Sequence, residues 1–164
     1  MNVLVCAACG RRLSEPLRLL PELPERPPRD GRKGPDGLRH APPTMPSGTY
    51  AVDPEPSGAP YVPHPDPEWM GEALPGTVVL DPDGPGCLIS AGPRDTLVVN
   101  PEDTRGLLAS NDALQEFGCC GPPGREGPNF VCPGCGAEVA TLFADCSGPY
   151  ETHFLPAAVR LAAE

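Results

Sequence analysis

Eight cysteines among 164 residues are the side chains best able to do chemistry, and four of them stand in two copies of Cys-x-x-Cys-Gly. The first copy is Cys6-Ala7-Ala8-Cys9-Gly10 and the second is Cys132-Pro133-Gly134-Cys135-Gly136. Each follows an apolar, β-prone run, Val3-Leu4-Val5 or Asn129-Phe130-Val131. A strand, a tight turn carrying two thiols and a Gly that lets the chain double back make a knuckle. Together Cys6, Cys9, Cys132 and Cys135 supply four soft sulfur ligands, the number a closed tetrahedral zinc site requires.

The distance between the two pairs is the difficulty. Compact zinc ribbons place about 15–20 residues between their pairs, whereas 122 residues, 10 through 131, separate Cys9 from Cys132 here. Loop-closure entropy grows only logarithmically, so the longer loop costs roughly 1.7 kcal/mol more than an 18-residue one. Structural zinc contributes on the order of 10 kcal/mol. The favoured expectation is therefore one Zn2+ per chain, shared by the two knuckles. A local alternative takes Cys132 and Cys135 with Cys146 and one of Cys119 or Cys120. Neighbouring residues in extended chain point to opposite faces, so both members of Cys119-Cys120 should rarely reach one metal.

If the knuckles pair, Cys87, Cys119, Cys120 and Cys146 remain. They suffice for a second zinc, or three of them with His153. The plainer reading makes Cys87 and Cys146 small buried apolar residues and Gly118-Cys119-Cys120-Gly121 a tight turn. Four thiolates also suit an iron–sulfur centre, but paired Cys-x-x-Cys-Gly knuckles favour zinc. Redox use of Cys-x-x-Cys calls for a helix N-terminus in a βαβ setting, and neither copy has one. His40 and His64 lie in a Pro-rich tract and His153 stands alone. No phosphate loop, dinucleotide fingerprint or nucleophile set is visible. Whether the chain is an enzyme stays open on sequence alone, with the balance against.

The elements that must position these thiols divide the chain into three. Residues 1–20 form the N-terminal knuckle, with residues 2–5 and 11–13 as its two arms and Leu17, Leu19 and Leu20 as an apolar patch. Residues 21–70 are Pro-rich, with fourteen prolines between positions 21 and 67. That density excludes helix and predicts polyproline-like extended chain or disorder. Residues 71–164 form a β-rich core holding the second knuckle. Strands are expected over residues 77–80, 87–90 and 96–99 as an antiparallel meander, then over 138–144 and 151–155. Asn100-Pro101-Glu102-Asp103 reads as the start of a short helix reaching residue 109. Helical turns are also expected over residues 68–74, 110–117 and 156–161, and Trp69 should dock on the core. The fold class is thus small β-rich or α+β, a zinc-ribbon-like core with an antiparallel meander and a long Pro-rich irregular segment.

Pro and Gly together number 45, from 26 and 19, and aromatics make only 5% of the chain. So small a core calls for an added staple such as a metal. Net charge is −10, with residues 1–40 at +3 (eight bases, five acids) and the rest at −13 (four bases, seventeen acids). The acidic body disfavours nucleic acid as a partner. The short apolar N-terminus, interrupted by cysteines, is no secretory signal, and nothing approaches bilayer-spanning length. Thiols in such a chain read as metal ligands rather than disulfides, with the cytoplasm as the expected compartment.

The stretch from Gly118-Cys119-Cys120-Gly121 through Asn129-Phe130-Val131-Cys132-Pro133-Gly134-Cys135-Gly136 to Asp145-Cys146 resembles the cysteine-rich C-termini of a group of small actinobacterial proteins. The resemblance covers about residues 118–160 and implies no activity or ligand assignment. The Arg-, Ala-, Gly- and Pro-rich composition, with one Lys and one Ile, agrees with a GC-rich coding genome. More loosely, the knuckles are similar to those of zinc-ribbon domains.

The leading expectation is a zinc-stabilised interaction or scaffold module with a protein partner. One alternative is a metal-dependent enzyme or accessory factor using Cys119, Cys120, Cys146 and His153. Another is a transcription-associated ribbon touching nucleic acid through Arg11, Arg12 and Arg18.

Overall fold

The structure is a computed structural model, and it describes residues 1–73, 77–114 and 116–164. The described residues are β-rich, and their one helical element is a short 3-10 turn at Pro101–Thr104. A seven-stranded mixed sheet forms the body, in the order β2-β3-β6-β10-β9-β8-β7. Its strands are β2 (Arg18–Leu19), β3 (Thr49–Asp53), β6 (Thr96–Val99), β7 (Ala109–Ser110), β8 (Phe130–Val131), β9 (Glu138–Phe143) and β10 (Glu151–Phe154). Two ribbons accompany it. One pairs β1 (Asn2–Cys6) with β11 (Val159–Ala163), and the other pairs β4 (Tyr61–Pro63) with β5 (Leu88–Ser90).

The Pro-rich segment is extended chain, and part of it enters the sheet. β3 occupies the proline-free interval between Pro46 and Pro54, where every residue keeps an amide for the ladder. It therefore serves as an inner strand between β2 and β6. β4 ends in Pro63 and lies in a two-stranded ribbon, where a missing donor costs less.

Alternation separates the two faces of the sheet. Tyr50 pairs with Val99 and Phe154 with Ala140. These four pack with Leu4, Cys6, Leu13, Leu17, Cys132, Val139 and Val159 in the main core. On the opposite face Ala51, Val98 and Met45 form a smaller core, covered by Leu20 and Leu23. The Pro-rich segment thus roofs one face while both knuckles close the other. Phe154 is fully buried, and Phe154→Ala is expected to cost about 3–5 kcal/mol. The measurement is a lower urea midpoint at unchanged slope.

Six local expectations differ from the structure. The meander does not form: β5 and β6 exist, but β5 pairs with β4, and β6 lies between β3 and β10. Turn residues fix where a chain reverses, not which neighbour each strand takes. Val98 and Val99 are fully buried on opposite faces, so β6 takes a central place that residues 77–80 cannot flank. Those residues take part in isolated bridges only, among them Leu80 to Cys87.

Residues 156–161 are not helical. The chain turns after Leu155 and enters β11, whose five residues pair with β1 from Val159–Cys6 to Ala163–Asn2. Pairing supplies partners for the β1 backbone, which overrides the modest helix propensity of Ala and Leu.

The helix expected to reach residue 109 stops after the 3-10 turn, although the Asn100 side chain caps it by accepting from the Glu102 amide. β7 begins at Ala109 and pairs with β8 instead. No helix occupies the described part of residues 110–117, residue 115 lying outside it, nor residues 68–73, residue 74 lying outside.

Trp69 does not enter the core. It is half-buried and stacks on His64, with centroids 4.3 Å apart and planes 10° apart.

Candidate metal centre

The two knuckles are built alike. The Gly10 amide donates to the Cys6 carbonyl and the Gly136 amide to the Cys132 carbonyl, both at 2.8 Å. The Cys6 amide donates to Arg11 and the Cys132 amide to Ala137, again at 2.8 Å. Gly10 and Gly136 hold φ of +76° and +74°, a left-handed conformation that any L side chain would strain. In each knuckle the first cysteine is buried and the second exposed. The repeated Gly in the motif therefore has a direct structural cause.

Position follows from the sheet. β1 carries Cys6 into the main core, held by β11 on one side and by the Val5–Arg12 bridge on the other. β8, next to the edge strand β7 of the large sheet, delivers Cys132, and β9 leaves the second knuckle. The turn of one knuckle lies against the other: a Cβ on Gly134 would sit 3.0 Å from Arg11 Cδ and 3.5 Å from Cys9 Sγ.

The thiols of Cys6, Cys9, Cys132 and Cys135 consequently lie within 4.8 Å of one another. Cys6 Sγ is 3.6 Å from Cys135 Sγ, and Cys9 Sγ is 3.6 Å from Cys132 Sγ. Tetrahedral zinc with Zn–S bonds of about 2.3 Å separates its sulfurs by roughly 3.8 Å, so the group is sized for such an ion. Backbone amides address the sulfurs as well, with Gly134 N–H donating to Cys132 Sγ at 3.4 Å.

Electrostatics favours a cation here. Burial raises the Cys6 thiol, but hydrogen bonds from the amides of Cys9 and Ala8 and from the Cys135 and Cys132 thiols outweigh it, bringing it down to about 7. At Cys135 the Ala137 amide acts to lower the thiol. The Cys6 hydrogen bond, burial, and the Cys9 and Cys132 contacts prevail and push it up to about 12. Four crowded thiols cannot all ionise together unless positive charge enters among them.

Cys119, Cys120 and Cys146 form a second group, their sulfurs also within 4.8 Å of one another. The three are exposed, buried and half-buried in turn. Both adjacent cysteines reach the group because the chain is not extended there. A Cβ on Gly118 would collide with the Gly121 carbonyl oxygen, and one on Gly121 would sit 2.7 Å from the Ala144 carbonyl oxygen. Two glycines thus permit a turn too tight for side chains, and Cys119-Cys120 swings toward Cys146. The opposite-face expectation fails for that reason.

Cys146 accordingly belongs with Cys119 and Cys120, and Cys132 and Cys135 with Cys6 and Cys9. His153 joins neither group. It lies buried in β10, with Nε2 2.7 Å from Glu151 Oε2 and Nδ1 2.9 Å from Thr96 Oγ1. Cys87 is buried, its thiol donating to Met70 Sδ at 3.8 Å, and it belongs to neither group.

The Glu151 network gave no signal in the sequence, since its partners come from scattered positions. Arg26 donates through Nε at 2.8 Å and Nη2 at 3.2 Å, and Thr44 through its hydroxyl at 2.6 Å. Among the described residues no helix is long and apolar enough to cross a membrane. No protein-family model, curated protein or solved structure matches the chain, so its reading rests on this geometry.

Proposed function

We propose that the protein is a structural-zinc module in which one Zn2+ on Cys6, Cys9, Cys132 and Cys135 ties the two ends of the chain into a scaffold for a protein partner. The observation that carries this reading is the convergence of four thiols from two like-built knuckles within 4.8 Å. Four thiolates leave no coordination position for water or substrate, which suits a structural role rather than a catalytic one. The knuckle pair is zinc-ribbon-like, with the Pro-rich segment and most of the sheet carried as an insertion between its halves. A net charge of −10 makes a protein surface a better partner than a phosphate backbone.

Metal analysis of protein purified under reducing conditions tests the reading. Zinc below half an equivalent per chain would sink it. Cys6→Ser should remove zinc from this site. A chain whose zinc content is untouched by that substitution holds its metal elsewhere. Loading should also weaken as pH falls, because binding displaces protons from the thiols. Affinity that is flat between pH 8 and pH 5 would contradict thiolate ligation.

A further inference from the structure

Cys119, Cys120 and Cys146 differ from the knuckles in what surrounds them. The group is partly open: Cys119 is exposed and Cys146 half-buried. Cys119 Sγ lies 2.8 Å from Cys146 Sγ and 3.6 Å from Cys120 Sγ. The Arg39 amide donates to Cys120 Sγ at 3.4 Å, the kind of N–H···S bond that also occurs at Cys132. Cys146 lines a cavity of about 590 Å³ together with Arg29, Asp30, Arg39 and His40. Arg29 is anchored there, its Nη1 donating to the Cys146 carbonyl at 2.7 Å. Asp145 accepts from the Cys120 amide and the Ser147 hydroxyl, so its carboxylate braces the turn.

We propose that Cys119, Cys120 and Cys146 form a second metal site, an open three-thiolate centre for a thiophilic divalent cation, whose fourth position takes a small exogenous anionic ligand from the basic cavity of Arg29 and Arg39. Three thiolates on a divalent cation leave one negative charge, and the cavity lining, with Arg29 and Arg39 against the single carboxylate of Asp30, carries a net positive charge that offsets it. Binding releases the thiol protons to solvent and needs no oxidant. A redox pair would use two sulfurs and gives no reason for the third to converge, or for an amide to point at it. Three ligands leave the tetrahedral position that four-thiolate sites lack, so this centre exchanges metal and ligand where the knuckle site does not. The inference does not depend on zinc occupying the knuckles.

Zinc content of the reduced, full-length chain, loaded and desalted, tests this. The wild type should hold two equivalents, and Cys119→Ser/Cys146→Ser should hold one. One equivalent in the wild type that disappears in Cys132→Ser overturns the proposal and leaves the knuckle reading standing. One equivalent that disappears only in Cys119→Ser/Cys146→Ser does the reverse, and none overturns both. If mild oxidation joins Cys119 to Cys146 in a chain that binds only one zinc, the group is a redox pair and the proposal fails. Because Cys132→Ser can fail to fold, chelator competition on the wild type gives a second readout. Two phases of equal amplitude are expected, the fast one absent from the double variant, and a single phase contradicts the open site. With Co2+ in place of zinc, a small added thiol should shift the visible bands of the wild type but not of the double variant. Unchanged wild-type bands would refute the exchangeable fourth position.

Discussion

Removing the proposed zinc, by chelation or by Cys132→Ser, is expected to release both ends of the chain together and to lower the unfolding free energy by several kcal/mol. Structural zinc contributes on the order of 10 kcal/mol, while whole domains of this size are stable by about 5–15 kcal/mol. The ion is thus worth a large share of the total. Its loss reaches the interior because Cys6 and Cys132 are fully buried and pack in the main core beside Leu4 and Val159. Without a cation nothing offsets the entropy of closing the long loop between the knuckles. Hydrogen exchange offers the sharpest measurement. Amides of β1 and β11 should lose protection on chelation, whereas those of β6, β9 and β10 should retain more of theirs, since their pairing is independent of the knuckles. Unchanged protection at β1 would mean that the thiol group does not hold the ends. Loss of all protection at once would mean that the ribbon and the sheet are one cooperative unit.

Features with local causes were legible in the sequence. The knuckles were, because a left-handed Gly after Cys-x-x-Cys is required by the turn itself. β9 and β10 followed from β-prone runs, and the cap at Asn100 from residue types at fixed offsets. Strand partners were not legible. β6 carries no mark saying that its neighbours are β3 and β10 rather than residues 77–80. That choice depends on which surfaces bury Val98 and Val99 best. Proline density suggested an irregular tract, yet the few proline-free residues before Pro54 suffice for an inner strand. The composition of the segment concealed the strand within it. The C-terminus failed for the same reason, since Ala and Leu near the end favour helix until β1 offers an edge. Among the site residues, pairing of the knuckles was suggested by chemistry and loop entropy. The convergence of Cys119 with Cys120 was hidden, because it depends on how closely Gly118 and Gly121 approach other backbone.

The second large effect is expected at Glu151, where Gln substitution should destabilise the protein by roughly 3 kcal/mol at neutral pH and flatten its acid response. Glu151 is completely buried. Burial raises its carboxyl, but the hydrogen bond and charge of the His153 ring and the Arg26 guanidinium prevail, holding it at about 2 against an ordinary 4.5. A depressed carboxyl stabilises the fold fully above the unfolded value, near pH 4.5, and this contribution is lost as pH falls toward 2. The difference between wild type and Glu151→Gln should therefore be constant above about pH 5 and shrink steadily below it. Comparing the two proteins cancels the acid-driven loss expected of the proposed zinc, which both would share. The cost stays below that of breaking a fully buried pair, because Arg26 is 34% exposed and lies 3.5 Å from Asp53. Urea unfolding at a series of pH values measures the gap, and a gap that does not close in acid would show that the ionised carboxylate is not its source. Arg26 and Thr44 both belong to the Pro-rich segment, so the same substitution should loosen the roof over Met45, Ala51 and Val98. Limited proteolysis within residues 21–48 should then quicken in Glu151→Gln at neutral pH, while hydrogen-exchange protection of β1 and β11, beside the knuckles, should be unchanged.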